Sequence, residues 1–234
     1  MNNKKQITIF ASKKIKMLKD NPKIIFYWFY KLFNLFRKNV LNNGERYDPN
    51  ILGNFNINDF HQEARYNFAQ KFISKNDSVI DIACGTGYGT ALLADNCLSV
   101  IGVDISEEAI RYANKHYKKK SNINFIQSGL FDFNGLADIV ISFETIEHIN
   151  DSIEATVKKL LSLAKNKIIC SVPYKEAIGN NKYHSHFNIS ELDFDFLKNN
   201  YKLKFLYQTS DGKIWEENKG DISTLIIIIA KNFL

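Results

Sequence analysis

Three glycines and two aspartates carry the clearest chemistry in this chain of 234 residues. In Val79-Ile80-Asp81-Ile82-Ala83-Cys84-Gly85-Thr86-Gly87-Tyr88-Gly89 an apolar run leads into Gly-x-Gly-x-Gly. Glycines at that spacing let the backbone turn sharply and approach a ligand with no Cβ in the way. A dinucleotide loop would read Gly-x-Gly-x-x-Gly and seat a pyrophosphate on the following helix. Here the last spacing is one residue shorter and Asp81 stands just before the loop. A carboxylate at that place repels a pyrophosphate and attracts an ammonium group, directly or through water. Asp104 lies 19 residues beyond Gly85, in Gly102-Val103-Asp104-Ile105-Ser106. An acid at the end of the second strand can accept hydrogen bonds from both hydroxyls of a ribose. The expected ligand is nucleoside-like, with a positive charge near the loop.

These residues need a sheet to aim them. Residues 78–83, 99–105, 123–127, 137–143 and 167–172 read as apolar strands. Between them lie helical patterns at 59–73, with Phe60, Ala64, Phe68 and Phe72 four apart and Asp59 as cap, and at 89–96. A third helix follows a Ser106 cap, with Ala109, Ile110 and Ala113 on one face, and a fourth spans 151–164. A polar loop, a helix at 190–199 and strands at 202–209 and 223–231 complete the pattern. Strands separated by helices need crossover connections, so the sheet is mainly parallel with both faces covered.

Composition sets the outer bounds. With 45% hydrophobic and 24% charged residues the chain is globular and neither disordered nor collagen-like. Three widely spaced cysteines, Cys84, Cys97 and Cys170, make neither a disulfide framework nor a paired zinc motif, so a reducing, cytoplasmic compartment is expected. The net charge of +6 is unevenly spread: residues 1–40 hold ten cations against Asp20 alone, and the other 194 residues hold 21 cations against 24 acids. The main domain therefore lacks the overall basic charge of a nucleic-acid binder. The basic stretch also holds Ile24-Ile25-Phe26-Tyr27-Trp28-Phe29-Tyr30. That run is too short to span a bilayer and has no small-residue cleavage site at the right distance. Two readings stand: a helix packed on the domain or a second copy, or an interfacial helix beneath anionic head groups.

A loop that excludes pyrophosphate, joined to a ribose-binding acid, points to S-adenosylmethionine. With Asp-Ile-Ala-Cys-Gly-Thr-Gly-Tyr-Gly from Asp81 and Ile-Gly-Val-Asp-Ile-Ser from Ile101, the sequence resembles the class I S-adenosylmethionine-dependent methyltransferases. The resemblance implies a Rossmann-like, doubly wound α/β fold: a seven-stranded, mainly parallel sheet with an antiparallel last strand, plus an N-terminal helical extension. The extension would be 1–43 and the methyltransferase domain 44–234. Cofactor contacts are implied for Asp81, Ala83, Gly85, Thr86, Gly87, Asp104, Ile105, Leu130 and Phe143. One departure stands out. Family members usually place an acid after strand three, beside the adenine amino group, where this chain has Gln127-Ser128-Gly129-Leu130. Asp132 is the nearest acid, and backbone atoms near Leu130 are the expected substitute.

Further segments resemble the branch of that superfamily associated with bacterial surface-glycan assembly. They are Gly44-Glu45-Arg46-Tyr47-Asp48-Pro49, Arg65-Tyr66, Ser142-Phe143-Glu144-Thr145-Ile146-Glu147-His148-Ile149, Ser171-Val172-Pro173-Tyr174, and 179–191 around Tyr183-His184-Ser185-His186. The resemblance covers roughly 44–209. Glu144 and His148 stand four apart, so a helix would put both on one face toward the acceptor. His148 could then take a proton from an acceptor hydroxyl while Glu144 orients it, or it could merely shape the wall. Tyr88, Tyr183, His184 and His186 are expected on the substrate side. No metal is expected, because the sequence names no third ligand to join His184 and His186.

The expected function is O-methylation of a sugar or glycan intermediate, with no nucleic-acid partner. Strand four ends in Phe143-Glu144-Thr145 and not in the Pro-Pro-aromatic segment that holds a flipped base. The alternatives are another small acceptor (a quinone, an amine or a phosphate-containing metabolite) or a non-catalytic cofactor-binding subunit. Peripheral contact with the inner membrane face is expected through 1–40.

Overall fold

The computed structural model describes residues 57–231. The expected extension, the lead-in from Gly44 to Pro49 and the side chains of Asp59 and Phe60 lie outside the described residues.

Helix α1, Ile57–Ala69, passes through a 3-10 turn, Gln70–Phe72, into β1, Ser78–Ile82. Then follow α2 (Tyr88–Leu93), β2 (Ser99–Asp104), α3 (Glu107–Tyr117), β3 (Ile123–Gln127) and β4 (Ala137–Phe143). A 3-10 turn, Ile146–His148, leads to α4 (Ile153–Leu163), which runs without a loop into β5 (Ala164–Pro173). The chain continues through a 3-10 segment, Glu191–Leu197, to β6 (Tyr201–Thr209), β7 (Ile214–Trp215) and β8 (Ile222–Lys231). Ser106 caps α3 as expected, its Oγ accepting from the Ala109 amide at 3.3 Å, whereas α1 begins at Ile57, so the expected cap Asp59 falls inside the helix. The segment expected as a helix at 190–199 is 3-10 throughout, with Ser190 and Asp193 capping each other reciprocally.

The strands form one sheet in the order β3-β2-β1-β4-β5-β8-β6-β7. The order reverses direction between β1 and β4, the switch point outside which such sheets bind ligands at their carboxyl ends. Strands β1 to β5 pair in parallel, and β8 runs antiparallel between β5 and β6. The sheet thus matches the expected mainly parallel architecture with one strand more. The addition is β7, two residues pairing with Tyr207 and Gln208 beyond a turn at Gly212, too short for any periodicity to show.

Side chains alternate across the sheet. On one face Val79, Ile139, Ile141, Ile169, Ile226 and Ile228 pack with Tyr66, Ala91, Leu93, Ile110 and Ala113 of α1 to α3. On the other, Ile80, Ile82, Val140, Ile168 and Ile227 pack with Val157, Leu160 and Leu161 of α4 and with Phe194. Burying each such side chain contributes about 1.5–3 kcal/mol. Both faces being covered explains the unbroken apolar run at 225–229. Among the described residues no helix is long and apolar enough to cross a membrane.

Candidate active site

The glycine loop leaves β1 through left-handed backbone: φ is +59° at Ala83, +54° at Gly85 and +81° at Gly87. Such a conformation at a residue with a Cβ costs about 1–3 kcal/mol, so the exposed Ala83 holds strain where a ligand would lie. Gly87 is required twice over, because a Cβ there would also sit 2.7 Å from Ala113 Cβ and from the Phe125 ring. Gly89 serves packing. A Cβ on it would come within 1.9 Å of the Tyr66 ring, which lies against the loop.

That close approach lets the Tyr66 hydroxyl donate to both Asp81 oxygens, at 3.2 and 3.3 Å, while Thr90 Oγ1 donates to Oδ2 at 2.6 Å. Asp81 is wholly buried. Burial pushes its pKa up to about 7, against the pull of the Thr90 and Tyr66 hydrogen bonds and with an added push from Asp104. Of the two ways expected for Asp81 to act on a cation, burial leaves action through the field or a bridging water. Asp104 is 7% exposed at the tip of β2. Its Oδ2 accepts from the Gly85 amide and its Oδ1 from the Ser106 amide, both at 2.9 Å. An ionised carboxylate has about four acceptor positions, enough to add two hydroxyls.

Next to Asp104, Ile105 is 74% exposed, an apolar side chain standing in water. A Cβ added at Gly129 would lie 3.2 Å from Asp132 Oδ2 and 3.8 Å from Ile105 Cδ1. The glycine thus leaves a side-chain-free wall between an apolar group and a carboxylate. Asp132, the nearest acid in the sequence, thus lies beside Gly129. Leu130 and Thr86 are buried, and Phe143 stands edge-on to Tyr66 with ring centres 5.1 Å apart.

Beyond β4 the geometry differs from the expected helix. Glu144 has φ +49° and the chain then makes only the 3-10 turn at Ile146–His148, so Glu144 and His148 do not share a helical face. The Glu144 carboxylate instead accepts from Ser171 Oγ at 2.7 Å and lies 3.9 Å from the buried Arg65 guanidinium. Glu147, its neighbour in the turn, is 1% exposed, and neither of its carboxylate oxygens has a hydrogen-bond partner. Burial first, and the nearby Glu144 second, hold the Glu147 carboxyl well above the usual range.

The polar loop after β5 folds back onto this turn, because the Ser185 and His186 amides donate to the Glu147 carbonyl at 2.7 and 3.1 Å. His148 Nδ1 donates to the Tyr183 carbonyl at 3.2 Å, and its Nε2 lies 3.9 Å from Glu147 Oε1. His184 stands edge-on to His148, ring centres 4.6 Å apart, with Nδ1 bonded to Glu176 Oε2 at 2.5 Å and Nε2 accepting from Asn181 Nδ2 at 2.9 Å. One ligand-type atom from each of Glu147, His148 and His184 lies within 4.8 Å of the others. His186, expected in the same cleft, bonds the Asp151 carbonyl through Nε2 at 2.8 Å and stays out of the group. Tyr183 is 47% exposed with Lys182 Nζ 4.7 Å from its ring centre, and Tyr88 is half-buried at the start of α2.

Sequence reasoning missed Tyr66 and Thr90 at Asp81, and Glu147 and Glu176 at the histidines. Glu147 stood beside His148 in plain view. Helical spacing directed attention to Glu144 instead.

A family model described as a methyltransferase domain matches residues 73–219. The putative methyltransferase YqeM of Bacillus subtilis is 29% identical over 143 residues, 57% of this chain and 54% of the relative. Malonyl-[acyl-carrier protein] O-methyltransferase of Acetivibrio thermocellus is 30% identical over 130 residues, 54% of this chain and 42% of the relative. The chain spans about half the length of the curated relatives it matches. Among solved structures, N-methyltransferase NodS from Bradyrhizobium japonicum WM9, in complex with S-adenosyl-L-homocysteine, superposes with a TM-score of 0.62 at 15% identity, covering 82% of this chain and 95% of that one.

Proposed function

The chain belongs to the methyltransferase-domain family, the S-adenosylmethionine-dependent class I enzymes, and we propose that it methylates a hydroxyl on a sugar or glycan intermediate. Its methyl donor is S-adenosylmethionine, whose sulfonium supplies an electrophilic methyl carbon. What this chain adds is position and acceptor activation. In the proposed assignment Asp104 holds the ribose, Ile105, Leu130 and Asp132 flank the base, and Ala83, Gly85, Thr86 and Gly87 line the loop. Phe143 walls the reaction centre.

The observation that carries the acceptor reading is the convergence of Glu147, His148 and His184 beyond β4 and β5. An amine or carboxylate attacks a sulfonium unaided, whereas a sugar hydroxyl is hardly ionised at neutral pH and needs its proton drawn away. His148 spends Nδ1–H on the Tyr183 carbonyl, so Nε2 is the nitrogen that serves the acceptor. The exposed Tyr183 ring offers an apolar face for a sugar, and the proposed assignment keeps Tyr88 and His184 on the acceptor side while His186 is held by the Asp151 carbonyl. The relatives' names span an O- and an N-methyltransferase, so the acceptor is tested with a matched panel. Release of S-adenosylhomocysteine should be faster with nucleotide-linked sugars than with the corresponding amino sugars. Preference for the amines would move the chemistry to nitrogen. Cofactor binding without turnover on any acceptor would leave a non-catalytic subunit.

The cofactor's charge should be felt at Asp81. Its raised pKa means that the free protein is stabilised by this group below about pH 4 and loses that contribution, on the order of a few kcal/mol, as pH rises through about 7. A bound cation favours the ionised form. Cofactor affinity should therefore rise toward pH 7 and above, with close to one proton released per binding event at pH 6 and almost none at pH 8.5. Calorimetry in two buffers of different ionisation heat measures this, and Asp81→Asn should abolish it. Proton-neutral binding at pH 6 by the unaltered protein would separate Asp81 from the cofactor.

We also propose a cytoplasmic location with peripheral attachment to anionic lipid, supported by the charge of residues 1–40, which is +9. That attachment should weaken with salt.

A further inference from the structure

We propose that Glu147, His148 and His184 bind one divalent transition-metal cation, and that this cation holds and acidifies the acceptor hydroxyl. The inference rests on the hydroxyl-acceptor reading for its chemistry and on separate observations for the site.

The first observation is the donor set. Two imidazole nitrogens and one carboxylate oxygen suit zinc, manganese, cobalt or iron in the divalent state, and leave coordination positions for a substrate oxygen. The second is the carboxylate itself. Glu147 is 1% exposed with both oxygens unpartnered, and it points toward His148 Nε2 at 3.9 Å. An ionised carboxylate out of water is costly unless a cation meets it. No Lys or Arg nitrogen lies within 4.0 Å of either oxygen among the described residues.

The third is the support behind each ligand. A metal-bound histidine typically gives its second N–H to a carboxylate or backbone carbonyl, which fixes its tautomer and aim. His184 does so to Glu176 and His148 to the Tyr183 carbonyl. With Nδ1 so engaged in both rings, Nε2 is the nitrogen that would ligate the cation. The two segments are pinned by the amides of Ser185 and His186 on the Glu147 carbonyl. Donors around a four-coordinate ion at about 2.0–2.2 Å stand roughly 3.3 Å apart. The three atoms, now within 4.8 Å, must draw in by up to about 1.5 Å, and the Asn181 amide must leave His184 Nε2.

The step balances without another reactant. The cation-held hydroxyl gives its proton to solvent, its oxygen bonds to the methyl carbon, and the carbon–sulfur electron pair returns to sulfur as a neutral thioether. His148 then acts as a ligand, and the cation lowers the hydroxyl's pKa as it would a bound water's.

The test uses an untagged full-length chain, stripped with chelator and titrated with Co(II) while visible absorption is recorded, alongside equilibrium dialysis with Zn(II) and Mn(II). One cobalt per chain should bind, with the stronger, shifted absorption of a low-coordinate nitrogen and oxygen site. Glu147→Gln and His184→Ala should each weaken uptake at least 10-fold, and Glu176→Gln, a positioning change, about 10- to 100-fold. Because Glu147→Gln keeps the shape of a buried group that no hydrogen bond holds, it should leave the metal-free melting temperature nearly unchanged while cancelling the rise that metal gives the unaltered chain. Absence of stoichiometric uptake of all three ions, or unchanged uptake in Glu147→Gln, overturns the site. Uptake as described with methylation found only on nitrogen would keep the site and overturn the hydroxyl reading alone.

Discussion

His148→Ala should lower the rate of methyl transfer about 100-fold or more and leave S-adenosylmethionine affinity nearly unchanged. Acceptor activation by a positioned group contributes typically 10²- to 10⁴-fold, and His148 is partly exposed in the turn after β4 and is not among the residues assigned to the cofactor. Whether Nε2 takes the proton or ligates a cation, an alanine supplies neither. Single-turnover rates with bound cofactor isolate the step from product release, and calorimetry reports affinity. A rate within a few-fold of the unaltered protein would assign activation elsewhere. His184 would be the next residue to test.

Asp104→Ala should weaken cofactor binding by about 1.5–3 kcal/mol, the range for hydrogen bonds to a charged group and roughly a 10- to 150-fold rise in Kd. The side chain does two jobs at once. It faces the proposed ribose position, and it holds the Gly85 and Ser106 amides at 2.9 Å each. Asp104→Asn separates them, since an amide oxygen can keep one backbone partner while losing the charge. Both variants should bind more weakly than the unaltered chain, the alanine one more so. Unchanged affinity in a folded Asp104→Ala protein would remove this residue from the site.

The strands and the cofactor loop were legible because their signals are local. A buried parallel strand writes itself as an apolar run, as at 79–82 and 225–229, and a glycine loop must stand next to the strand it leaves. Ser106 and Asp104 could be placed for the same reason. The acceptor side was harder to read. Glu147 and His184 lie 37 positions apart in sequence and meet only because two loop amides pin one segment to the other. The side chain of Glu147 turns inward because the chain makes a 3-10 turn after a left-handed Glu144, and no composition rule for residues 144–148 distinguishes that from an α-helix. Gly129 misled in the opposite way. Its missing side chain suggested a lost adenine contact, yet it leaves the space that Asp132 adjoins from three residues downstream. Strand β7 escaped for want of length, two residues being less than one period of alternation.

Transfer to oxygen rather than nitrogen shows in the atom that carries the methyl group. Incubation of the full chain with S-adenosylmethionine carrying a ¹³C-labelled methyl group, followed by carbon NMR of a turned-over sugar acceptor, reads the bonded atom directly. A methoxy carbon on the sugar ring, lost in His148→Ala, is the predicted result. A labelled N-methyl carbon, or label on no acceptor in the panel while the cofactor binds, would contradict it.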